Sequence, residues 1–246
     1  MATFAQYYHQ FHRHDSRKAG VGSEANKCNV PLLSKDKVNR VIVYAGAFNP
    51  PHVGHLDVLW HAFQSSSDLN IVAGLVYPAS DDKIRTKNLY SNRRLALSKE
   101  QRSKLWERHV RFPTWAFVAR EDFETKIAST AEEDGYEIRY IEVMGPDNWD
   151  INKPPRHISA CYPEYLVTNA ARRASFVTPN GVPQRMKGYT SWKKLGPDPK
   201  PKVQPLQQTR PVVEVLESSP SVATTMTAGS TPSSSAEGQS YFSVVQ

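Results

Sequence analysis

The chain has little cysteine: Cys28 and Cys161 are its two among 246 residues. Two thiols so far apart make neither a disulfide framework nor a thiolate metal site. That usage suits a reducing intracellular compartment, cytoplasm or nucleus, with a mitochondrial address left open by Arg13, Arg17 and Lys18 near a start with few acids. No apolar run approaches membrane-spanning length, and the first residues lack the apolar core of a secretory signal. There is no internal repeat, no zinc-finger or RRM signature, and no basic arm interleaved with aromatics, so a nucleic-acid module is not expected. No carboxylate cluster stands out as a metal cage, and no protein metal ligands are assigned.

Basic residues are in surplus, 31 Lys+Arg against 24 Asp+Glu, a formal charge of +7. A surplus of this sign favours small anions such as nucleotides. The pattern along the chain alternates. Val41–Tyr44 is a buried-strand run, Val53–Gln64 has helical spacing, and Ile71–Tyr77 is a second strand. Ser80 to Asn92 is polar. Ser98 with Gln101 three residues on reads as a capping box for a helix over Lys99–Val110. Trp115–Ala119 predicts a short strand, and Glu121–Glu133 a helix ending at Gly135. Tyr136–Met144, Tyr165–Thr168 and Val212–Leu216 complete the strands. Strands alternating with helices imply an α/β fold, a doubly wound and mostly parallel sheet. Residues 1–39 read as a flexible N-terminal extension and 40–227 as the domain. A Pro/Lys-rich insertion covers about 178–210, and 228–246 is a Ser/Thr-rich flexible tail.

The densest chemistry lies at the first strand-to-helix junction, Gly46-Ala47-Phe48-Asn49-Pro50-Pro51-His52-Val53-Gly54-His55. Backbone N–H groups and the helix dipole collect anions there. Gly54 leaves room for close approach, and two imidazoles can donate to phosphate. The bland alternative is a solvated turn with incidental histidines. A second turn, Gly145-Pro146-Asp147-Asn148-Trp149, falls at the end of the strand over Ile138–Val143. In doubly wound sheets, ligands bind at such carboxyl ends.

These residues resemble the signature of the HxGH nucleotidyltransferases. That group includes nicotinate/nicotinamide mononucleotide adenylyltransferases, pantetheine-phosphate adenylyltransferases and cytidylyltransferases, and the Phe-Asn-Pro-Pro-His form is most similar to the first branch. The resemblance implies a Rossmann-like fold and adenylyl transfer from ATP to a mononucleotide, with release of pyrophosphate and a place in NAD biosynthesis. Mg²⁺ would be carried with the triphosphate. By resemblance, His52 and His55 are the catalytic pair. Gly46, Ala47, Phe48, Gly54, Gly145, Asp147, Arg172, Thr224 and Thr225 would meet the nucleotide. Lys83, Lys87 and Arg93, from a Lys-rich loop, with Trp115 and Trp149, would meet the acceptor. The partners implied are ATP and a phosphorylated small molecule. No membrane partner is expected, and homo-oligomerisation is left open. The chain departs from the family at its close. Val222-Ala223-Thr224-Thr225 stands where the family has Ile-Ser-Ser-Thr, and Ala228 where it has a triphosphate-binding Arg. Losing such a donor costs about 3–4 kcal/mol in the transition state. Arg185 or Lys187 could substitute. The alternative is therefore a catalytically impaired nucleotide-binding or regulatory relative, or a transferase with another acceptor.

Overall fold

A computed structural model describes residues 1–12, 30–91, 95–145, 162, 164–168, 177–178, 180, 182–184, 191, 193–195 and 240–244. The sequence-predicted strand 212–216 and most of the 178–210 segment lie outside these residues. Five strands run parallel: β1 (Asn39–Gly46), β2 (Ile71–Pro78), β3 (Ala116–Val118), β4 (Ile138–Met144) and β5 (Glu164–Thr168). Two more, β6 (Lys193–Lys194) and β7 (Ser240–Val244), join antiparallel, giving the order β3-β2-β1-β4-β5-β7-β6. The sheet is doubly wound, as the alternation predicts. Its central strands are near-continuous apolar runs because helices cover both faces.

Two cores result. Ile42, Tyr44, Val76, Ile141, Val143 and Leu166 face α2 (Val53–Gln64) and α4 (Lys99–Glu107), packed with Phe63, Trp106 and Trp115. Val41, Ala73, Leu75 and Ile138 face α1 (Phe4–Phe11) and α5 (Glu124–Glu133). Neighbouring strand residues point to opposite faces, so Val41 and Ile42 serve different cores.

Local signals set several boundaries. Gln101 N–H donates to Ser98 Oγ at 3.1 Å and Ser98 N–H to Gln101 Oε1 at 2.9 Å, the reciprocal capping predicted for α4. After α5, Gly135 takes φ +82°. Tyr136 N–H then bonds Ala131 O, and Gly135 N–H bonds Glu132 O, both at 2.9 Å. This is a glycine-closed helix end. α5 starts at Glu124 and not at 121, and α4 stops at Glu107 and not at 110.

Three expectations are corrected. Residues 1–12 are no loose extension: Phe4, Tyr7 and Tyr8 are buried at helical spacing against the second core. Burying an aromatic group of this size offsets the ordering of one short helix. The polar stretch after Ser80 is not a loop but a helix, α3 (Asp81–Ser91). Ser80 Oγ accepts from Lys83 N–H at 3.3 Å, and Ile84 is the residue that buries. Part of the 228–246 tail forms β7, whose backbone pairs along all of β5, Glu164 with Val244 through Thr168 with Ser240.

Candidate functional site

β1 lies between β2 on one side and β4 on the other, so the order of connection reverses between β1 and β4. The crevice outside their carboxyl ends is where this architecture binds ligands. The segment Gly46–His55 sits at that reversal.

Phe48 anchors it. Its ring is 3% exposed and meets Tyr44, His55 and Trp106 edge-on, with centroids 5.1, 5.0 and 5.1 Å away. Its backbone adopts φ +45°, a strained conformation for an aromatic residue that tight packing maintains. Gly46 is required beneath it, because a Cβ there would lie 2.7 Å from the ring. The Asn49–Pro50 peptide is cis. Asn49 holds the neighbouring segment through its side chain, donating to Leu95 O at 2.7 Å and accepting from Leu97 N–H at 2.9 Å.

His52 caps α2 in extended geometry, and no acidic residue stands in the first turn to compete for an anion. The two imidazoles stack, centroids 3.7 Å apart and 30° between planes. Gly54 permits this, since a Cβ there would lie 3.2 Å from the His52 ring. The His52 backbone N–H donates to His55 Nδ1 at 3.2 Å. A nitrogen that accepts carries no proton, so neutral His55 holds its hydrogen on Nε2. Burial, aided by the His52 imidazole beside it, pushes the His55 pKa down to about 4. His55 is therefore a neutral donor at physiological pH, with its tautomer fixed by the main chain. His52 is exposed at the end of the pair.

One residue that the sequence reading passed over holds this edge together. Arg102, on α4, is wholly buried. It donates to Leu97 O at 3.0 Å, Ala47 O at 2.9 Å, Ala79 O at 2.8 Å and Asp81 Oδ1 at 2.8 Å. The loop after β1, the loop after β2 and the start of α3 are thus tied to one guanidinium. No sequence signal marks it, because its burial beside Ser103 and Trp106 exists only in the folded chain.

The structure brings together His52, His55, Gly46, Ala47, Phe48 and Gly54, with Gly145 at the end of the neighbouring β4. Lys83 and Lys87 lie on exposed positions of α3. Trp115 is corrected: it is wholly buried, stacked on Phe63 at 4.0 Å and packed over Gly74, so neither ring face is open to a ligand. Arg93, Asp147, Trp149, Arg172, Arg185, Lys187, Thr224, Thr225 and Ala228 lie outside the described residues. A cavity of about 490 Å³ between α1, Lys35, Asp134 and Tyr136 opens at the amino edge of the sheet, the end opposite the histidines.

Residues 43–150 match the family model described as Cytidylyltransferase-like. The matched stretch runs from β1 past the end of β4 and contains the histidine pair, and it supports a place in the nucleotidyltransferase superfamily. No curated protein matches the chain.

Proposed function

We propose that the protein transfers an adenylyl group from ATP to a mononucleotide, such as nicotinamide or nicotinate mononucleotide, and releases pyrophosphate. The observation that carries this reading is the stacked His52–His55 pair at the N-terminus of α2, with the His55 hydrogen fixed on Nε2. The acceptor's phosphate oxygen attacks the α-phosphorus, and the bond to the bridging oxygen of pyrophosphate breaks. Such a displacement needs no protein nucleophile, only positioning and donors aimed at developing charge. His55 Nε2–H supplies a neutral hydrogen bond. His52, exposed at the cap, supplies a second imidazole. The α2 dipole and the first N–H groups of the helix add a fixed positive end. Among the described residues, no group of three or more His, Cys, Asp or Glu side chains is placed to hold a metal ion. In this reading Mg²⁺ would arrive with the triphosphate, held mainly by phosphate oxygens and water.

The test is pyrophosphate release with ATP or CTP against a panel of phosphorylated acceptors, with His55→Ala beside the wild type. Turnover with ATP and a pyridine mononucleotide that His55→Ala removes supports the reading. Nucleotide binding by calorimetry without turnover on any acceptor defeats it, and favours the binding-only relative that Ala228 suggests.

A further inference from the structure

Between Phe48 and the first histidine the chain runs Asn49-Pro50-Pro51. Asn49 is half-buried and uses both ends of its amide. Its Nδ2 donates to Leu95 O at 2.7 Å, and its Oδ1 accepts from Leu97 N–H at 2.9 Å, partners 46 and 48 positions further along. The match is specific to the amide. Aspartate lacks the donor, and leucine lacks both groups.

The strap that Asn49 grips is itself fixed. Leu95 O accepts a second bond, from Asn88 Nδ2 of α3 at 2.8 Å, and Leu97 O accepts from Arg102 at 3.0 Å. Arg102 also holds Ala47 O, two residues before Asn49. From this anchor the chain leads straight to the histidines. Pro50 and Pro51 each hold φ at about −65° through their rings, so little freedom separates Asn49 from His52. The His52 N–H is the group that meets His55 Nδ1, at 3.2 Å, while the two rings stack at 3.7 Å. The direction of that N–H is thus set from the Asn49 side chain. If it swings away, either nitrogen of His55 can carry the hydrogen, and part of the population loses its donor on Nε2.

We propose that Asn49 is a positioning residue for the histidine pair: through Pro50 and Pro51 it aims the His52 N–H that keeps the His55 hydrogen on Nε2. Asn49 touches no reacting atom in this role. Its effect on rate rests on the transferase reading above, and its effect on His55 rests on the hydrogen bonds alone. Losing two neutral hydrogen bonds that hold one orientation corresponds to a rate loss of about tenfold.

Imidazole nitrogen NMR spectra of His55, and kinetics with ATP and the acceptor that turns over, are compared in wild type, Asn49→Ala and Asn49→Asp. In wild type, His55 should show Nδ1 as an accepting nitrogen and the Nε2–H tautomer alone. In Asn49→Ala the Nδ1–H tautomer should become detectable, and kcat should fall about tenfold with KM within about threefold of wild type. Asn49→Asp keeps the Leu97 bond and should show a smaller change in the same direction, which keeps the spectrum readable if the alanine variant does not fold. A His55 spectrum unchanged in both variants overturns the inference. So does a changed spectrum with wild-type kcat, or a loss that appears in KM alone. Failure of the transferase reading looks different: wild type releases no pyrophosphate with any acceptor, while the His55 spectrum still responds to Asn49→Ala.

Discussion

Arg102 on α4 and Glu142 on β4 are both charged groups withdrawn from water near the ends of the parallel strands, and their surroundings differ completely. Arg102 uses four of its five N–H hydrogens on three carbonyls and the Asp81 carboxylate. Glu142 has one oxygen that meets no donor. Burial by itself therefore does not separate architecture from function in this protein, but satisfaction of the polar atoms does. A group whose every bond is made within the chain positions the site. A group with a bond still to make is a candidate to meet a ligand.

The contrast can be broken in order of expected effect. Arg102→Leu takes a donor from three carbonyls and from Asp81, which keeps only the Lys99 N–H, and should cost about 3–5 kcal/mol in urea unfolding. Arg102→Lys should recover a minor part, since an ammonium group cannot span four separated acceptors. A loss below about 1 kcal/mol for the leucine variant would remove Arg102 from its architectural role.

His55→Ala should lower kcat/KM for adenylyl transfer a few hundred-fold, about 3–4 kcal/mol. His55→Gln keeps a donor near the Nε2 position and should retain most of the rate. Between pH 5.5 and 8, His55 stays neutral in the folded protein, because its pKa lies near 4. A rate that falls with a midpoint assigned to His55 above pH 6 would contradict the tautomer lock. The sign for stability follows from the same depression. The favourable contribution of neutral His55 is complete above its ordinary pKa near 6.5, and is lost as pH falls from there toward about 4.

Gly46→Ala would drive a methyl into the Phe48 ring and should destabilise by about 1–3 kcal/mol. Displacing that ring also loosens His55, so activity should fall more than stability predicts. Parallel stability and rate measurements separate the two effects.

Glu142→Gln should give the smallest change. Burial lifts the Glu142 acid to about 7. Its penalty is absent below the ordinary carboxyl range near 4.5, grows as pH rises from there, and is complete above about 7. The variant should match wild type at pH 4.5 and melt about 2–5 °C higher at pH 8. Equal melting curves at both values would show that Glu142 is satisfied after all.

The sequence exposes those parts of this molecule whose causes are local. Ser98 and Gln101 announce the start of α4 within four residues, and Gly135 closes α5 by its own left-handed backbone. The histidine segment is legible for the same reason: strand, glycines, prolines and histidines are contiguous. Other features depend on partners far along the chain. α1 forms because Phe4 and Tyr8 find Phe117, with ring centroids 5.9 and 4.5 Å away, and the Tyr8 hydroxyl reaches Val118 O at 3.1 Å. Nothing within residues 1–12 discloses those contacts. α3 buries little beyond Ile84, so it carries no apolar rhythm to read. Arg102 looks like any surface arginine until its acceptors arrive from positions 47, 79, 81 and 97. Trp115 shows the converse, since an aromatic ring placed plausibly for stacking on a base is consumed by Phe63 and Gly74.

β7 has a consequence for how the protein is made. It covers β5 through a backbone ladder of five residue pairs, yet positions 169 to 239, 71 residues, are synthesised between the two strands. At about 5–20 residues per second, the outer edge of β5 waits roughly 4–14 s on the ribosome for its permanent neighbour. Through that interval, the fully buried-type strand Glu164–Thr168 presents a row of open amides and carbonyls to any extended chain nearby. Slower translation across that stretch should therefore lengthen the exposure of this edge, whatever the equilibrium strength of the finished sheet.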